Sequence, residues 1–462
     1  MSSGVTKDGT ARVPSAYVCD GILFTNHKGE QVDIQHIVNK FTIQESIYSP
    51  TLMCEFAVRD AVNFLEFHEI IGQEVVTIKI TKKDPENEKK INLKFFITEY
   101  PLFARSDKQD SVAAFTFRGV SRHAYLNQLK KISKSYQGNA ADVIFNLITE
   151  KETGLDFPKE NMIGFKDDVY KPSEECISFI KGVIPFQSPL NAAAEILRST
   201  VDIKGSPFFL YQTLHGNMHL KSLSQLFNEE KNPQYGGPDF SYIKTTNFKA
   251  DPQTNEDYSE RMRRIIGITS DLKLNVIGQM SAGTYASRNN FLDISSKKYV
   301  TESYNYINDF VGDKSNVDSD SNIDPEWKIN DKNLGEYDSA HCTYLSTNDA
   351  LFSEFTEIGL NDTDKLYSRY RKSHLELLET QTHDVQLYGD IDLNAGTVIH
   401  ITIPKAIDNK DQKPMQKESE IEQIDELISG RYLITSAIHT FKGGNMMTKV
   451  QLKRDSFKKL SA

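Results

Sequence analysis

The sequence predicts a mainly β protein of the α+β class. Two similar antiparallel β-barrel domains flank an intervening helical and hairpin domain and an insertion. Three observations predict this. Residues 16–120 alternate apolar and polar side chains with period two, the mark of half-buried strands. Residues 380–455 do so again, and the runs of the second stretch repeat those of the first in the same order. A chain of 462 residues has room for three or four compact units. Its 38% hydrophobic and 26% charged residues are globular in proportion, and 26 Phe with 20 Tyr can fill several cores.

Residues 1–15 are polar, lack the apolar run of a secretory signal and read as a flexible tail. The first barrel domain spans 16–120. Val76, Ile78 and Ile80 alternate with Thr77, Lys79 and Thr81, and Ile91, Leu93, Phe95 and Ile97 with Asn92, Lys94, Phe96 and Thr98. Ile47-Tyr48-Ser49-Pro50 and Asp84-Pro85-Glu86-Asn87 punctuate the runs, and 60–65 reads as a short helical plug. Residues 121–240 form the helical domain with its closing hairpin. Asn139 caps a helix over 140–150, with Asp142 in the first turn and Val143, Ile144, Leu147 and Ile148 on its apolar face. Ser188-Pro189 starts another, with Leu190, Ala193, Ala194 and Leu197 at helical spacing. Phe208-Phe209-Leu210-Tyr211 and Met218-His219-Leu220 flank a turn at His215-Gly216-Asn217. Residues 241–300 read as extended, the first part of the second barrel domain. Residues 301–374 are the insertion and a helix. Through 345 the segment is rich in Asn, Asp and Ser and holds the only Trp, Trp327, as a surface insertion or a partner-binding arm would. A helix is expected over 362–379, capped by Asn361 or Asp362, with Leu366, Tyr370 and Leu377 on one face. Residues 375–462 complete the second barrel.

The internal repeat is the central feature. Val75-Val76-Thr77-Ile78-Lys79-Ile80 matches Val398-Ile399-His400-Ile401-Thr402-Ile403 at an offset of 323, and each run follows a glycine, Gly72 or Gly396. Phe95-Phe96-Ile97-Thr98 matches Tyr432-Leu433-Ile434-Thr435 at 337, and Phe115-Thr116-Phe117-Arg118 matches Val450-Gln451-Leu452-Lys453 at 335. The connection between the first and second runs is longer in the second copy. Its acidic 405–428 loop, with Glu418, Glu420, Glu422, Asp425 and Glu426, reads as solvated. Alternation alone generates such matches, so two unrelated antiparallel sheets are the competing reading. A true repeat has a geometric meaning: two similar barrels per chain in a trimer make a ring with approximate sixfold and exact threefold symmetry.

Composition and spacing exclude several function classes. Cys19, Cys54, Cys176 and Cys342 are far apart and form no CxxC, which removes a zinc ribbon or a disulfide scaffold; small buried thiols are expected. A formal charge of −10 without a basic block argues against a DNA-gripping protein. Arg261, Arg263 and Arg264 follow Glu256, Asp257 and Glu260 and read as a solvated face or protein interface, and the tail 455–459 likewise as surface. His215 and His219 straddle a hairpin turn and read as hairpin surface rather than a metal pair. His383 and Asp384 are adjacent on a strand and point to opposite faces, which spoils a dyad. Asp390 and Asp392 are ordinary turn acids more than paired catalytic carboxylates. Gly443-Gly444-Asn445 joins two strands and is a hairpin turn, not a phosphate loop. The sequence carries no GxSxG, HExxH or P-loop pattern, and points to no catalytic residue, cofactor or metal.

The second β region resembles a known family. Thr380-Gln381-Thr382-His383-Asp384-Val385-Gln386-Leu387-Tyr388-Gly389-Asp390-Ile391-Asp392-Leu393-Asn394-Ala395-Gly396-Thr397-Val398-Ile399 is similar to a segment of the central baseplate hub proteins of contractile-tailed, T-even-like bacteriophages. There a helix feeds a strand, then a polar loop, a small residue with glycine, and another strand. Gly430-Arg431-Tyr432-Leu433-Ile434-Thr435-Ser436-Ala437-Ile438-His439 resembles that family's next strand. Gly283-Thr284-Tyr285-Ala286-Ser287, with Asp293 and Tyr304-Asn305-Tyr306, also resembles these hubs, as does Phe41-Thr42-Ile43-Gln44-Glu45-Ser46-Ile47-Tyr48-Ser49-Pro50 at the first barrel's opening strands. The likeness covers most of 16–455 and fits 301–345 and the acidic loop least.

The resemblance implies a non-enzymatic structural protein: a homotrimer whose tube domains form a pseudo-hexameric ring. The ring would join the sixfold tail tube proteins to the trimeric tail spike, with the tape-measure protein and baseplate wedge proteins as further partners. Its bore would pass DNA transiently, without stable nucleic-acid or membrane binding, and an acidic channel would repel phosphates rather than retain them. The location implied is the virion tail baseplate, assembled in the host cytoplasm. The alternatives are the hub of a secretion or phage-tail-like injection machine, which a chain stopping at Ala462 without a β-helix spike fits less well, and a cell-wall-cleaving enzyme using Asp390 and Asp392.

Overall fold

The computed structural model describes residues 17–68, 70–83, 88–106, 109–163, 175–228, 241–243, 263–272, 275–294, 297–310, 312, 315–347, 370–405 and 424–456. The first β unit comprises β1 Val18–Thr25, β2 Gln31–Asp33, β3 Val38–Ser46, β4 Ser49–Asp60, the short helix α1 Phe64–Phe67, β5 Val75–Lys83, β6 Glu88–Ser106 and β7 Gln109–Ser121. Its strands lie antiparallel in the order β2-β1-β5-β6-β7-β4-β3. The period-two alternation sends Ile22, Phe24, Phe41, Ile43, Phe56, Val76, Ile78, Phe95, Ile97, Phe115 and Phe117 into one core. The Ser-Pro punctuation sits at the β3–β4 hairpin. The Asp84–Asn87 break lies outside the described residues. The helical plug falls later than 60–65: the Asp60 carboxylate accepts the Val62 N–H at 2.9 Å, and Asn63 takes a left-handed conformation, so the helix starts at Phe64. Phe64 meets Phe24 edge-on at 5.0 Å.

The middle region holds α2 Arg122–Leu129, β8 Ile132–Asn139, α3 Ala140–Thr149, β9 Met162–Ile163, β10 Phe179–Gln187, α4 Pro189–Arg198, β11 Phe208–Gln212, β12 Met218–Ser222 and α5 Leu223–Phe227. The Asn139 side chain caps α3 by accepting the Ala141 N–H at 2.9 Å, and the expected apolar face of α3 is buried. The start of α4 is as read, with Pro189 in its first turn, but the Ser188 side chain makes no cap bond. The buried face of α4 is Leu190, Ala192, Ala193 and Ile196, while Ala194 is exposed. The hairpin is the larger surprise. Every residue of β11 and β12 is buried, so it is an internal element rather than hairpin surface.

The second β unit opens with β13 Ser241–Ile243 and β14 Ile265–Leu272. Then come α6 Val276–Ala282, β15 Ala286–Asp293, β16 Lys298–Asn305, α7 Tyr306–Asp309, β17 Cys342–Thr347 and α8 Lys372–Leu378. The unit closes with β18 Gln381–Tyr388, β19 Val398–Thr402, β20 Gly430–Lys442 and β21 Asn445–Arg454. Helix α6 interrupts the extended reading of 241–300. Its start is capped by Asn275, which accepts the Gly278 N–H at 2.9 Å, and its end is set by Gly283 in the left-handed conformation. Strands β16, β15 and β17 form a separate sheet. Trp327 is exposed, but the segment before it is not all surface. The Asp455 carboxylate accepts the Val317 N–H at 3.0 Å and the Asn316 side-chain amide at 2.8 Å, and Ser456 Oγ accepts the Asp318 N–H at 2.8 Å. Asp455 and Ser456 are therefore fully buried, which corrects the surface reading of the tail as far as the described residues reach. Asn361, Asp362 and Leu366 lie outside the described residues, as does most of the acidic loop; the described end of the expected helix, α8, is helical. The Gly443-Gly444 turn is as read, with both glycines at positive φ in a two-residue hairpin.

The two β units have one topology. The order β1-β5-β6-β7-β4-β3 recurs as β13-β19-β20-β21-β18-β14, with strands taken from the chain in the same sequence. Val76 pairs with Phe95 and Ile399 with Tyr432, as the offsets 323 and 337 require. The Ile97 N–H donates to the Glu74 carbonyl, and the Ile434 N–H to the Thr397 carbonyl, at matching positions. Both copies carry a β-bulge between Ile97 and Glu99 or Ile434 and Ser436, and another between Val38 and Lys40 or Ile265 and Gly267. Two details differ from the sequence alignment. Gly119, not Phe117, corresponds to Leu452, so the third offset is two residues too large; a slip of two keeps every side chain on its face and leaves no trace in the alternation. And β13 runs parallel to β19, whereas β1 is antiparallel to β5. Ladders among the described residues do not close the two units separately. They join them into one thirteen-stranded sheet, because β20 is long enough to pair with β19 along its first half and with β3 along its second.

Candidate functional site

The joint between the two units is where the most chemistry gathers. Strands β3 and β20 pair antiparallel from Ser46 with Ser436 to Lys40 with Lys442. One register row crosses four strands: Phe441 opposes Phe41, Phe41 opposes Phe56, and Phe56 opposes Phe117. The rings of Phe41 and Phe441 stack at 4.6 Å and those of Phe56 and Phe117 at 4.8 Å, all buried, so the row is a continuous aromatic seam through the joint. Tyr17 closes its end edge-on against Phe441.

A single carboxylate holds three parts of the chain together here. Glu45, 3% exposed, accepts the Leu214 N–H at the tip of the β11–β12 hairpin and the Ala395 N–H ahead of β19, both at 2.6 Å, and lies 3.5 Å from His439 Nε2. Charge-assisted bonds to backbone donors are strong. Gly396 follows at φ +88°, where a Cβ would strike the Tyr211 hydroxyl, so glycine is required twice over. Around it Ile47, Phe209, Tyr211, Leu226, Val398 and Leu433 form an apolar cluster drawn from all three regions.

The residues singled out from sequence find their places around this joint. Asp390 and Asp392 do share a turn, but each faces a lysine of the first unit: Lys82 Nζ to Asp390 at 2.6 Å and Lys89 Nζ to Asp392 at 2.6 Å. Each carboxylate is thus paired with an ammonium across the joint. His215 lies 3.8 Å from Asp392. Burial lowers its pKa, against the opposing pull of Asp392. His219 is buried and stacks on Tyr211 at 5.0 Å, and burial holds its pKa well below the usual value. His219 thus belongs to the interior, and His215 is half-buried at the hairpin's turn. His383 packs against the Tyr432 ring, its pKa lowered to about 4 by burial and then by Arg454, while Asp384 reaches Lys449 on the other face at 2.8 Å. Cys54 and Cys176 are buried as expected, Cys19 is half-buried, and Cys342 is exposed. Of the arginine cluster, Arg261 lies outside the described residues and Arg263 is exposed. No group of three or more His, Cys, Asp or Glu among the described residues could hold a metal.

Sequence reasoning missed Glu45, the aromatic row and Arg454. Arg454 is buried, lies over the Tyr432 ring at 4.7 Å, and donates to the carbonyls of Ser429 and Leu427 and to Gln381. A polar residue at an inward position of an alternating strand was the one signal available for Glu45 and Arg454.

No family model and no curated protein matches the chain. Solved structures are similar to it over nearly its whole length. A tail protein from Neisseria meningitidis MC58 is 12% identical, covers 95% of this chain and 97% of its own, and superposes with a TM-score of 0.46. The 43 kDa tail protein of prophage MuSo2 from Shewanella oneidensis is 9% identical, with 94% and 98% covered and a TM-score of 0.49. An E. coli component of the type VI secretion system, described as structurally similar to the T4 bacteriophage tail proteins gp27 and gp5, is 8% identical, with 92% and 74% covered and a TM-score of 0.40. Likeness at this level carries no argument about function.

Proposed function

We propose that the protein is a structural adaptor, the central baseplate hub of a contractile phage tail, working as a trimeric ring. The observation that carries this reading is the six-strand order that occurs twice, with two matching bulges, and is joined edge to edge into one sheet in one chain. Three such chains present six near-equivalent sheets to a sixfold tube on one face, and a threefold arrangement to a spike on the other. The likeness of residues 380–399 to hub proteins supports the same reading. The joint is built for rigidity: the aromatic seam, the Glu45 bonds and the two lysine–aspartate pairs fix one unit against the other, as a ring bearing contraction forces requires. The partners are the tail tube proteins, the spike trimer, the tape-measure protein and the wedge proteins, and DNA passes through the bore. Asp390 and Asp392 are engaged by lysines, which favours a scaffold over a cell-wall hydrolase.

The native mass of the purified protein tests the reading. Three times 52.5 kDa is expected. A monomer at working concentration, or peptidoglycan hydrolysis abolished by Asp390→Asn or Asp392→Asn, would overturn it.

A further inference from the structure

The repeat makes the two ends of the sheet comparable, and they are not treated alike. In the second unit, the outer side of β20 beyond its bulge is covered by β3, the last strand of the first unit. In the first unit, the corresponding outer side of β6 pairs with nothing among the described residues: beyond Phe96 its ladder continues with β7 alone. The counterpart of β3 is β14, the last strand of the second unit, and among the described residues it pairs with β18 alone. One chain therefore holds one completed joint and the two complementary halves of a second. Those halves lie at opposite ends of the same continuous arrangement.

We propose that the outer edge of β14 in one copy pairs antiparallel with residues 102–106 of β6 in a second copy, in the register of the in-chain joint between β3 and β20. The proposal rests on the trimeric reading above and specifies the contact that closes it.

The register follows from the bulges. Arg118 and Gln451 stand just past the matching bulge, opposite Glu99 and Ser436. Two residues nearer the hairpin in each copy, Thr116 pairs with Leu102 and Lys449 with Ile438, so Leu102 takes the place of Ile438. The count must be made through β7, because β6 has a further irregularity between Glu99 and Leu102, at Tyr100-Pro101, that β20 lacks. On the other side, the shared bulge sets Val38 against Ile265, and hence Thr42 against Thr269. Within the chain Thr42 opposes Thr440 and Ile43 opposes His439. Between chains, Thr269 then opposes Ala104, and Ser270 opposes Phe103.

Two physical arguments favour a second copy as the occupant. A strand edge with no neighbouring strand is a template for pairing with another chain, and the strand that matches this one, which has none among the described residues, is already present in the same chain. The contact is also heterologous: β14 of each copy meets β6 of the next. Such contacts close into a ring if the rotation per step allows it. The joint inside the chain fixes half of each step, so a similar joint between chains makes all steps alike.

Cysteine pairs test the register. In a Cys342→Ser background, which removes the exposed thiol, Ala104→Cys with Thr269→Cys is one pair and Phe103→Cys with Ser270→Cys is the second. Neighbouring rows alternate between the two kinds of antiparallel pair, so one of the two suits a disulfide if the register is right. Thr42→Cys with Thr440→Cys is the in-chain control. After mild oxidation of particles whose native mass is trimeric, at least one pair should convert the monomer band on a denaturing gel to dimer and trimer, and each single substitution should not. Trimeric particles in which neither pair links, while the control forms its bond within one chain, would overturn the proposal and leave the trimer standing. Particles that remain monomeric would overturn both.

Discussion

The two β units differ in what fills them and agree in how they are strung. The first packs aromatic rings, with Phe24, Phe41, Phe56, Phe95, Phe115 and Phe117 in its core. The second packs aliphatic chains, with Val385, Leu387, Ile399, Ile401, Ile434, Val450 and Leu452. Phe56 stands where Val385 stands, Phe41 where Ile268 stands, and Cys54 where His383 stands. Strand order and bulges persist through these exchanges, and a glycine at positive φ precedes both β5 and β19, Gly72 at +90° and Gly396 at +88°, one position out of step. The lesson is that register is held by the side on which apolar residues fall and by the backbone devices that bend the strands, and many side chains satisfy those conditions.

The sharpest way to break the equivalence is to charge one core. Ile399 is 1% exposed, and Ile399→Asp buries a carboxylate with no partner, at a cost of roughly 4 kcal/mol or more. Val76→Asp at the equivalent place should do the same. Both variants should lose soluble, cooperatively unfolding protein; if only one fails, the two positions are not equivalent.

The joint comes next. Glu45 has no acidic counterpart, since Leu272 occupies the matching place in β14. Glu45→Gln keeps the volume but turns an amide NH2 towards one of two backbone donors, so a loss of about 2–4 kcal/mol is expected in denaturant unfolding. A loss below about 1 kcal/mol would mean the carboxylate is not what holds hairpin and β19 together.

Acid should separate the units more gently. His383 is buried neutral, with its pKa lowered to about 4, first by burial and then by Arg454, while Cys54 at the equivalent site stays neutral in acid. The unfolded chain takes up this proton near pH 6.5 and the folded chain only near 4. Stability from this group is therefore full above about 6.5 and is lost as pH falls towards 4, on the order of 2–3 kcal/mol. His123, lowered to about 4 chiefly by burial, adds a slope of the same sign. His383→Cys, copying the first unit, should flatten the fall in melting temperature over that window; an unchanged slope would assign the acid sensitivity elsewhere. The smallest effect belongs to Asp384→Asn, which removes a solvent-facing pair with Lys449 and should change stability by about 0.5 kcal/mol or less, read in the same melts.

Much of this was legible in the sequence. The alternation around Val76 and Ile399, the Asn139 cap, the Gly443-Gly444 turn and the opposite facing of His383 and Asp384 are local, and local pattern specifies them. Most of what failed was not local. The two-residue slip in the third strand preserves facing, so only the bulges reveal it. The β11–β12 hairpin looks like any surface hairpin until Glu45, far away in sequence, is found at its tip. Asp390 and Asp392 look like turn acids because their lysines lie some 300 residues earlier. The tail at Asp455 is buried by a segment of the insertion that reads as surface or as a partner-binding arm. The misses at Glu45, Asp390, Asp392 and Asp455 each concern a polar group whose partner is remote in sequence.

Averaged electron micrographs of the assembled protein, viewed down its axis, bear most directly on the notion that three chains stand in for six. Six lobes of closely similar size, alternating in fine detail with true threefold symmetry, are what the duplicated sheet requires. Single particles of one chain, or a ring of three lobes with the second sheet projecting away from the first, would contradict it.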